Sequence, residues 1–311
     1  MVIGKYMNKL VNDIKNLELE TLKNLKHSKS ANTLRAYESD YRDFSIFCVK
    51  NNFISMPADP KIISLYLTHL SKTLKFSTLK RRIASISVIH KLKDHYIDTK
   101  HPIIRENLLG IKRLKGSNQK AKKPILINDL KQIIDVIGTL NIREIRKTRD
   151  KALILIGFAG GFRRSELVAL EIDDIEFVRE GVKIFVKRSK TDQSGEGMTK
   201  AIPSFNSALY CPVLHLQDWL AKGKSINKKV FPISDKSVAL IIKKYANLAG
   251  LDGNKYAGHS LRSGFATSTA ESGAEERNIM AMTGHKTTQM VRRYIQEANL
   301  FKNNALNKIK I

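Results

Sequence analysis

AGHSLRSGFATSTAESGAEERNIMAMTGHKTTQMVRRYIQEAN, residues 257–299, reads as three short consecutive helices that gather two histidines, an arginine and a tyrosine. His259 and Arg262 are three residues apart, which on a helix puts both on one face, near enough to hold the same small anion. Leu261 and Phe265 then face a core. Gly273 breaks this helix, and residues 275–282 give another amphipathic turn or two before Thr283-Gly284-His285 stops it, so His285 sits at a turn. Thr287 or Thr288 caps a last helix in which Val291, Ile295 and Ala298 form an apolar stripe. Tyr294 lies beside that stripe, flanked by Arg292 and Arg293. Singly, His285 is a turn residue, Tyr294 a half-buried aromatic and the H-x-x-R pair a solvated face. Together within one stretch they are expected to form an active site.

The order GHS-LR, then TGH, then Tyr294 nine residues after the second histidine resembles the C-terminal signature of the tyrosine recombinase (phage integrase) family. That family opens its catalytic signature with a glycine, any residue, an arginine and, three residues on, a glutamate or aspartate. Gly161, Arg163 and Glu166 in GFRRSELVALEIDDI match it, with Glu166 expected to hold the Arg163 guanidinium by a charge-assisted bond. Family members also place a catalytic lysine in a β-hairpin. The resemblance puts it at Lys190 in the loop RSKTDQSGEG, with Lys187 and Lys200 as alternatives because hairpin boundaries read from sequence shift by a few residues.

Outward from this stretch, 311 residues suggest two domains, and 55 Lys plus Arg against 29 Asp plus Glu give a formal charge of +26 on a chain that is 42% hydrophobic. A folded binder of polyanions fits that balance. No apolar run approaches the roughly 20 residues of a spanning helix, since the longest, residues 152–162, ends in Arg163-Arg164. Charges interrupt MVIGKYMNKLVNDIKN, so no signal peptide is expected and the cytoplasm is the expected compartment. Cys48 and Cys211 have no partner at metal spacing and read as reduced packing residues.

Residues 1–27 read as a charged arm. In residues 28–110, Leu34, Tyr37, Tyr41, Phe44 and Cys48 recur at helical spacing, Asp59 and Pro60 start a second helix, and Ser77 caps a third burying Leu79, Ile83 and Ile86. Lys80, Arg81 and Arg82 sit in its first turn, where the helix dipole disfavours cations; that suggests an outside anion, although a solvated face is the commoner explanation. This segment reads as an all-α unit and resembles the SAM-like helical bundle that serves as core-binding domain in many tyrosine recombinases. Residues 111–123, IKRLKGSNQKAKK, read as a basic linker whose Lys112, Arg113, Lys115, Lys122 and Lys123 would strap a duplex.

Residues 124–299 read as a mainly α, α+β catalytic domain. Asn128 caps NDLKQIIDVIGTL, Thr148 or Asp150 starts the apolar helix before Gly160-Gly161, and antiparallel strands follow at residues 172–177, 181–187 and 200–205. Residues 300–311 form a tail with a small apolar face. The resemblance implies exchange of that tail between protomers of a tetramer on double-stranded DNA.

The mechanism the resemblance implies is metal-free and cofactor-free. Arg163 and Arg262 clamp the scissile phosphate, His285 adds a hydrogen bond to it, and Tyr294 attacks to form a 3′-phosphotyrosyl link. Lys190 protonates the 5′ oxygen and His259 assists proton transfer. The expected activity is site-specific DNA recombination. The alternatives are a type IB topoisomerase-like relaxing enzyme and a non-catalytic DNA-binding regulator. A two-metal nuclease would need clustered carboxylates, and the pair Asp173-Asp174 points to opposite faces if it lies on a strand.

Overall fold

A computed structural model describes residues 29–116, 122–187, 196–223 and 228–298, with isolated positions 16, 17, 20, 307 and 309. The chain divides into two compact units, Met1–Lys120 and Ala121–Ile311.

The first unit packs four helices: α1 (Ala31–Lys50), α2 (Pro60–Ser71), α3 (Phe76–Lys91) and α4 (Pro102–Lys115). Their apolar faces meet around Phe44, Cys48, Ile63, Leu67, Leu79, Ile86, Ile104 and Ile111. Asp59 caps α2 as expected, its Oδ1 accepting from the Lys61 amide at 2.6 Å with Pro60 in the first turn. Two expectations fail here. The third helix begins at Phe76 after Lys75, not at Ser77, and has no side-chain cap. The helical unit also runs past residue 110, because Ile111 continues the buried face of Ile104; Lys112, Arg113 and Lys115 are therefore exposed residues of α4 rather than linker.

Arg81 and Arg82 are also not the free cations that the sequence suggested. Asp40, 2% exposed, accepts from Arg81 and, at 2.7 Å, from the Ser85 hydroxyl; Arg82 Nε lies 3.2 Å from it and Arg82 Nη1 2.6 Å from Asp43. The compensating anion is internal, on α1. Lys80, the third of these cations, is exposed.

The second unit contains α5 (Ile127–Thr139), α6 (Glu144–Ala159), α7 (Arg164–Ala169), β1 (Ile175–Val178), β2 (Gly181–Val186), β3 (Met198–Pro203), α8 (Pro212–Lys222), α9 (Asp235–Leu248), α10 (His259–Glu271), α11 (Glu276–Thr283) and α12 (Thr288–Ala298). Helix α6 starts well before Thr148 and Asp150. Both are buried mid-helix, and Asp150 is polar because it accepts from Tyr245 at 2.6 Å and pairs with Arg149. Asn128 likewise lies inside α5, which Leu126 precedes.

The sheet is antiparallel in the order β1-β2-β3, with Ile175 opposite Ile184, Val182 opposite Ile202 and Ile184 opposite Lys200. Alternation puts Val182, Ile184 and Val186 of β2 and Ile202 of β3 into the core, together with Lys200. The first strand is shorter than expected: residues Ile172–Asp174 form a 3₁₀ turn, closed by the Glu171 amide donating to Asp174 at 2.9 Å. Asp174 also pairs with Lys187 at 2.9 Å. Cys48 and Cys211 are buried free thiols, as expected.

Candidate active site

The turn between α6 and α7 starts the site. Gly161 adopts φ +54°, and a Cβ there would press on Phe265 and Thr283, so glycine lets α10 and the end of α11 approach the turn. Arg163 follows as the cap of α7. Its amide donates to Glu166 Oε2 at 3.0 Å and its Nη1 to Oε1 at 2.5 Å, so one nearly buried carboxylate holds both backbone and guanidinium. Nη2 of Arg163 points to the Gly284 carbonyl at 3.4 Å.

Arg262 enters from α10, one turn after His259. Its Nη1 donates to the Gly161 carbonyl at 2.9 Å, while Nη2 is buried with no partner among the described atoms. Burial, together with Arg163, lowers Arg262 to about 10, opposed by Glu166 and Tyr294. A buried guanidinium edge without an acceptor, beside a second guanidinium, is a seat for an anion. His259, the first residue of α10, is exposed.

Lys200 is the feature that sequence reading reached only as an alternative. Its ammonium is fully buried, donates to the Gly160 carbonyl at 2.6 Å and the Met282 carbonyl at 2.5 Å, and lies 4.5 Å from the centre of the Phe162 ring. It therefore ties the turn carrying Arg163 to the end of α11 carrying His285. Burial, aided by Arg262 and Arg163, pushes Lys200 down to about 7 against the pull of Glu166. The period-two pattern was the available signal, since Lys200 falls on the same face as Ile202. Lys187, the other alternative, is committed to Glu171 at 2.6 Å and to Asp174, which hold it well above the usual lysine range. Lys190 lies outside the described residues.

Helix α11 ends at Thr283, and Gly284 turns the chain in the left-handed region (φ 63°, ψ 40°), which presents His285 to the site. The Thr283 hydroxyl, which sequence reading passed over as part of a helix stop, lies 2.8 Å from His285 Nδ1. Burial, then Arg262, Arg163 and Lys200, push His285 down to about 4. Tyr294 stands on α12 with its ring centre 6.2 Å from that of His285. Val291 of α12 packs with Ala266, Ala270 and Ile279 in a small cluster separate from the main core, and Tyr294 and Ile295 lean on it.

The fold thus assembles Arg163, Glu166, Arg262, His285 and Tyr294, with Lys200 beneath them. The expected DNA-binding residues Lys122 and Lys123 are engaged within their own unit: Lys122 donates to the Asn254 carbonyl at 2.6 Å, and Lys123 lies 3.6 Å from Asp129 and over the Tyr256 ring.

Comparison with known proteins shows the family and the fold. A model of the phage integrase family matches residues 125–300. An integrase/recombinase xerD homolog of Selenomonas ruminantium is 40% identical over 317 residues, covering 97% of this chain and 92% of its own length. Among solved structures, the Tn1549 transposon integrase in complex with transposon right end DNA superposes with a TM-score of 0.61 at 17% identity, covering 90% of this chain and 97% of that one. A lambda integrase tetramer bound to a Holliday junction gives 0.57 at 16% identity, covering 91% and 75%.

Proposed function

This chain belongs to the phage integrase family and is a tyrosine-type site-specific DNA recombinase; from that premise we propose that Tyr294 is its nucleophile, acting on a phosphate held by Arg163 and Arg262. The observation that carries the assignment is a pair of neighbouring guanidiniums: Arg163, fixed by Glu166, and Arg262, which feels Tyr294 and has a buried, unpartnered Nη2.

In the reaction, non-bridging phosphate oxygens gain charge as the phosphorus takes on a fifth oxygen. Two permanently charged planar forks meet that charge without having to reorganise. The Tyr294 oxygen bonds phosphorus, the bond to the 5′ oxygen breaks, and a 3′-phosphotyrosyl link results. Lys190 supplies the proton that the leaving 5′ oxygen needs, and His259 assists proton transfer. Lys200 does not take that place, because its ammonium is enclosed and both carbonyls engage it. One phosphodiester is exchanged for another, so a 5′ hydroxyl of a second strand can reverse the step without a nucleotide. In this reading the arginines supply the charge that a metal would otherwise bring.

The exposed Lys80, Lys112, Arg113 and Lys115 are proposed to contact DNA phosphates. Assembly as a tetramer on double-stranded DNA is proposed by analogy with the lambda integrase complex. The proposed exchange of residues 300–311 falls almost wholly outside the described residues. No helix among the described residues is long and apolar enough to cross a membrane, and the proposed compartment, given a DNA substrate, is the cytoplasm.

The test uses nicked suicide DNA drawn from the gene's own neighbourhood, with EDTA present. Wild type is expected to give a covalent adduct that peptide mass locates on Tyr294; Tyr294→Phe is expected to bind the same DNA and form none. An adduct that survives in Tyr294→Phe would remove the assignment. Relaxation of a plasmid lacking any target would favour the topoisomerase-like alternative.

A further inference from the structure

We infer that Thr283 is a positioning residue that decides which ring nitrogen of His285 carries the proton, so that His285 meets Tyr294 and the phosphate with a lone pair on Nε2. The inference rests on the reading of His285 as part of the site. Thr283 is fully buried, and its hydroxyl has two neighbours: the Ile279 carbonyl at 2.6 Å and His285 Nδ1 at 2.8 Å. A hydroxyl has one proton to give, and a carbonyl oxygen can only accept. The proton therefore lies toward Ile279, and Thr283 Oγ1 accepts from Nδ1–H. A neutral imidazole carries one proton, so Nε2 is bare.

The groups facing the ring make the neutral form the resting one. Arg163 from the start of α7 and Arg262 from α10 are cations, Lys200 from β3 adds positive charge while it is protonated, and Tyr294 from α12 is a phenol. With burial, these cations hold His285 neutral at physiological pH. A phosphodiester seated on the two arginines brings negative charge and makes a proton on Nε2 more favourable. The step then balances. The Tyr294 phenolic proton passes to Nε2 as its oxygen bonds phosphorus and the bond to the 5′ oxygen breaks. Lys190 ammonium protonates that oxygen, leaving imidazolium and amine. The new Nε2–H can donate to a non-bridging oxygen, the hydrogen bond expected of His285 from sequence, and resealing returns each proton.

A threonine at a helix end bonds the carbonyl four residues back for purely local reasons too, so the test must read the histidine. Protein labelled with ¹⁵N-histidine is examined at neutral pH by two-bond ¹H–¹⁵N correlation, with His285→Gln assigning the signal. Wild type is expected to show the proton on Nδ1. Thr283→Val, which keeps the shape and removes the acceptor, is expected to move it toward Nε2 and to slow adduct formation about 10- to 100-fold with DNA affinity retained; Thr283→Ser is expected to restore both. A wild-type His285 protonated on Nε2 overturns the inference without any variant. A wild-type cleavage rate in Thr283→Val overturns it while leaving Tyr294 as nucleophile, provided Tyr294→Phe still forms no adduct. An adduct in Tyr294→Phe overturns both.

Discussion

Lys200 carries a charge into a place where charge is costly, and two carbonyls compensate it. Lys200→Met would leave both without that donor, and the loss is expected to lower stability by about 1–3 kcal/mol, read as a fall in thermal midpoint together with slower adduct formation. The same ammonium links DNA binding to pH. In the free protein Lys200 titrates at about 7, and a bound phosphodiester raises that value. Above neutral pH, binding must therefore take up a proton, and affinity weakens as pH rises past about 7. Calorimetry at mildly alkaline pH in two buffers of different ionisation enthalpy should show net proton uptake, reduced in Lys200→Met.

At the scale of elements, His90 joins α3 to the chain before α2. Its Nε2 accepts from the Ala58 amide at 3.1 Å and its Nδ1 lies 2.8 Å from the Ile86 carbonyl, which requires the neutral ring. Burial lowers its pKa below the ordinary 6.5. The unfolded chain therefore binds the proton first as pH falls, so this contribution to stability is complete above about 6.5 and lost on acidification. Hydrogen exchange at Ala58 should show protection declining with acid beyond the intrinsic trend; His90→Phe should lose that dependence. The single tryptophan, Trp219, senses only the other unit.

Several element ends were legible from a local rule. Asp59 before Pro60 started its helix, and Gly273 and Gly284 ended theirs. The rule failed where a polar residue had a distant partner. Asp150 and Thr148 looked like caps and are buried mid-helix, and Arg81 and Arg82 looked unpaired because Asp40 lies some forty positions away. In the candidate site, helical spacing put His259 and Arg262 on one face, and the order of His285 and Tyr294 after them was read through the family resemblance; the structure gathers Arg262, His285 and Tyr294 and leaves His259 exposed at the start of α10. Lys200 was barely legible, because one buried lysine among 55 cations is marked only by the face of a strand. Thr283 was invisible, since its role depends on a hydroxyl proton's direction.

For the whole molecule, the formal charge of +26 dominates its meeting with DNA. Each neutralised phosphate releases counterions, so affinity should fall steeply with salt. Lys112→Ala and Lys115→Ala should each reduce the slope of log affinity against log salt by about 0.9 for every phosphate that the variant leaves unneutralised. Titrations at several salt concentrations check this; an unchanged slope would mean that these lysines do not meet the backbone. Arg82→Ala, by contrast, should act through stability, because its partners are Asp40 and Asp43.

The pairing of β2 with β3 has a consequence for quality control. Strand residues alternate between faces, so a slip of one position would turn Lys200 into water and bring Thr199 or Ala201 against Ile184. The apolar loss would be partial, but the brace between Gly160 and Met282 would vanish altogether. A misregistered hairpin could still look folded, yet its catalytic parts would not be locked together. The buried lysine thus ties the register of the sheet to the brace of the site, since Lys200 reaches Gly160 and Met282 from this pairing.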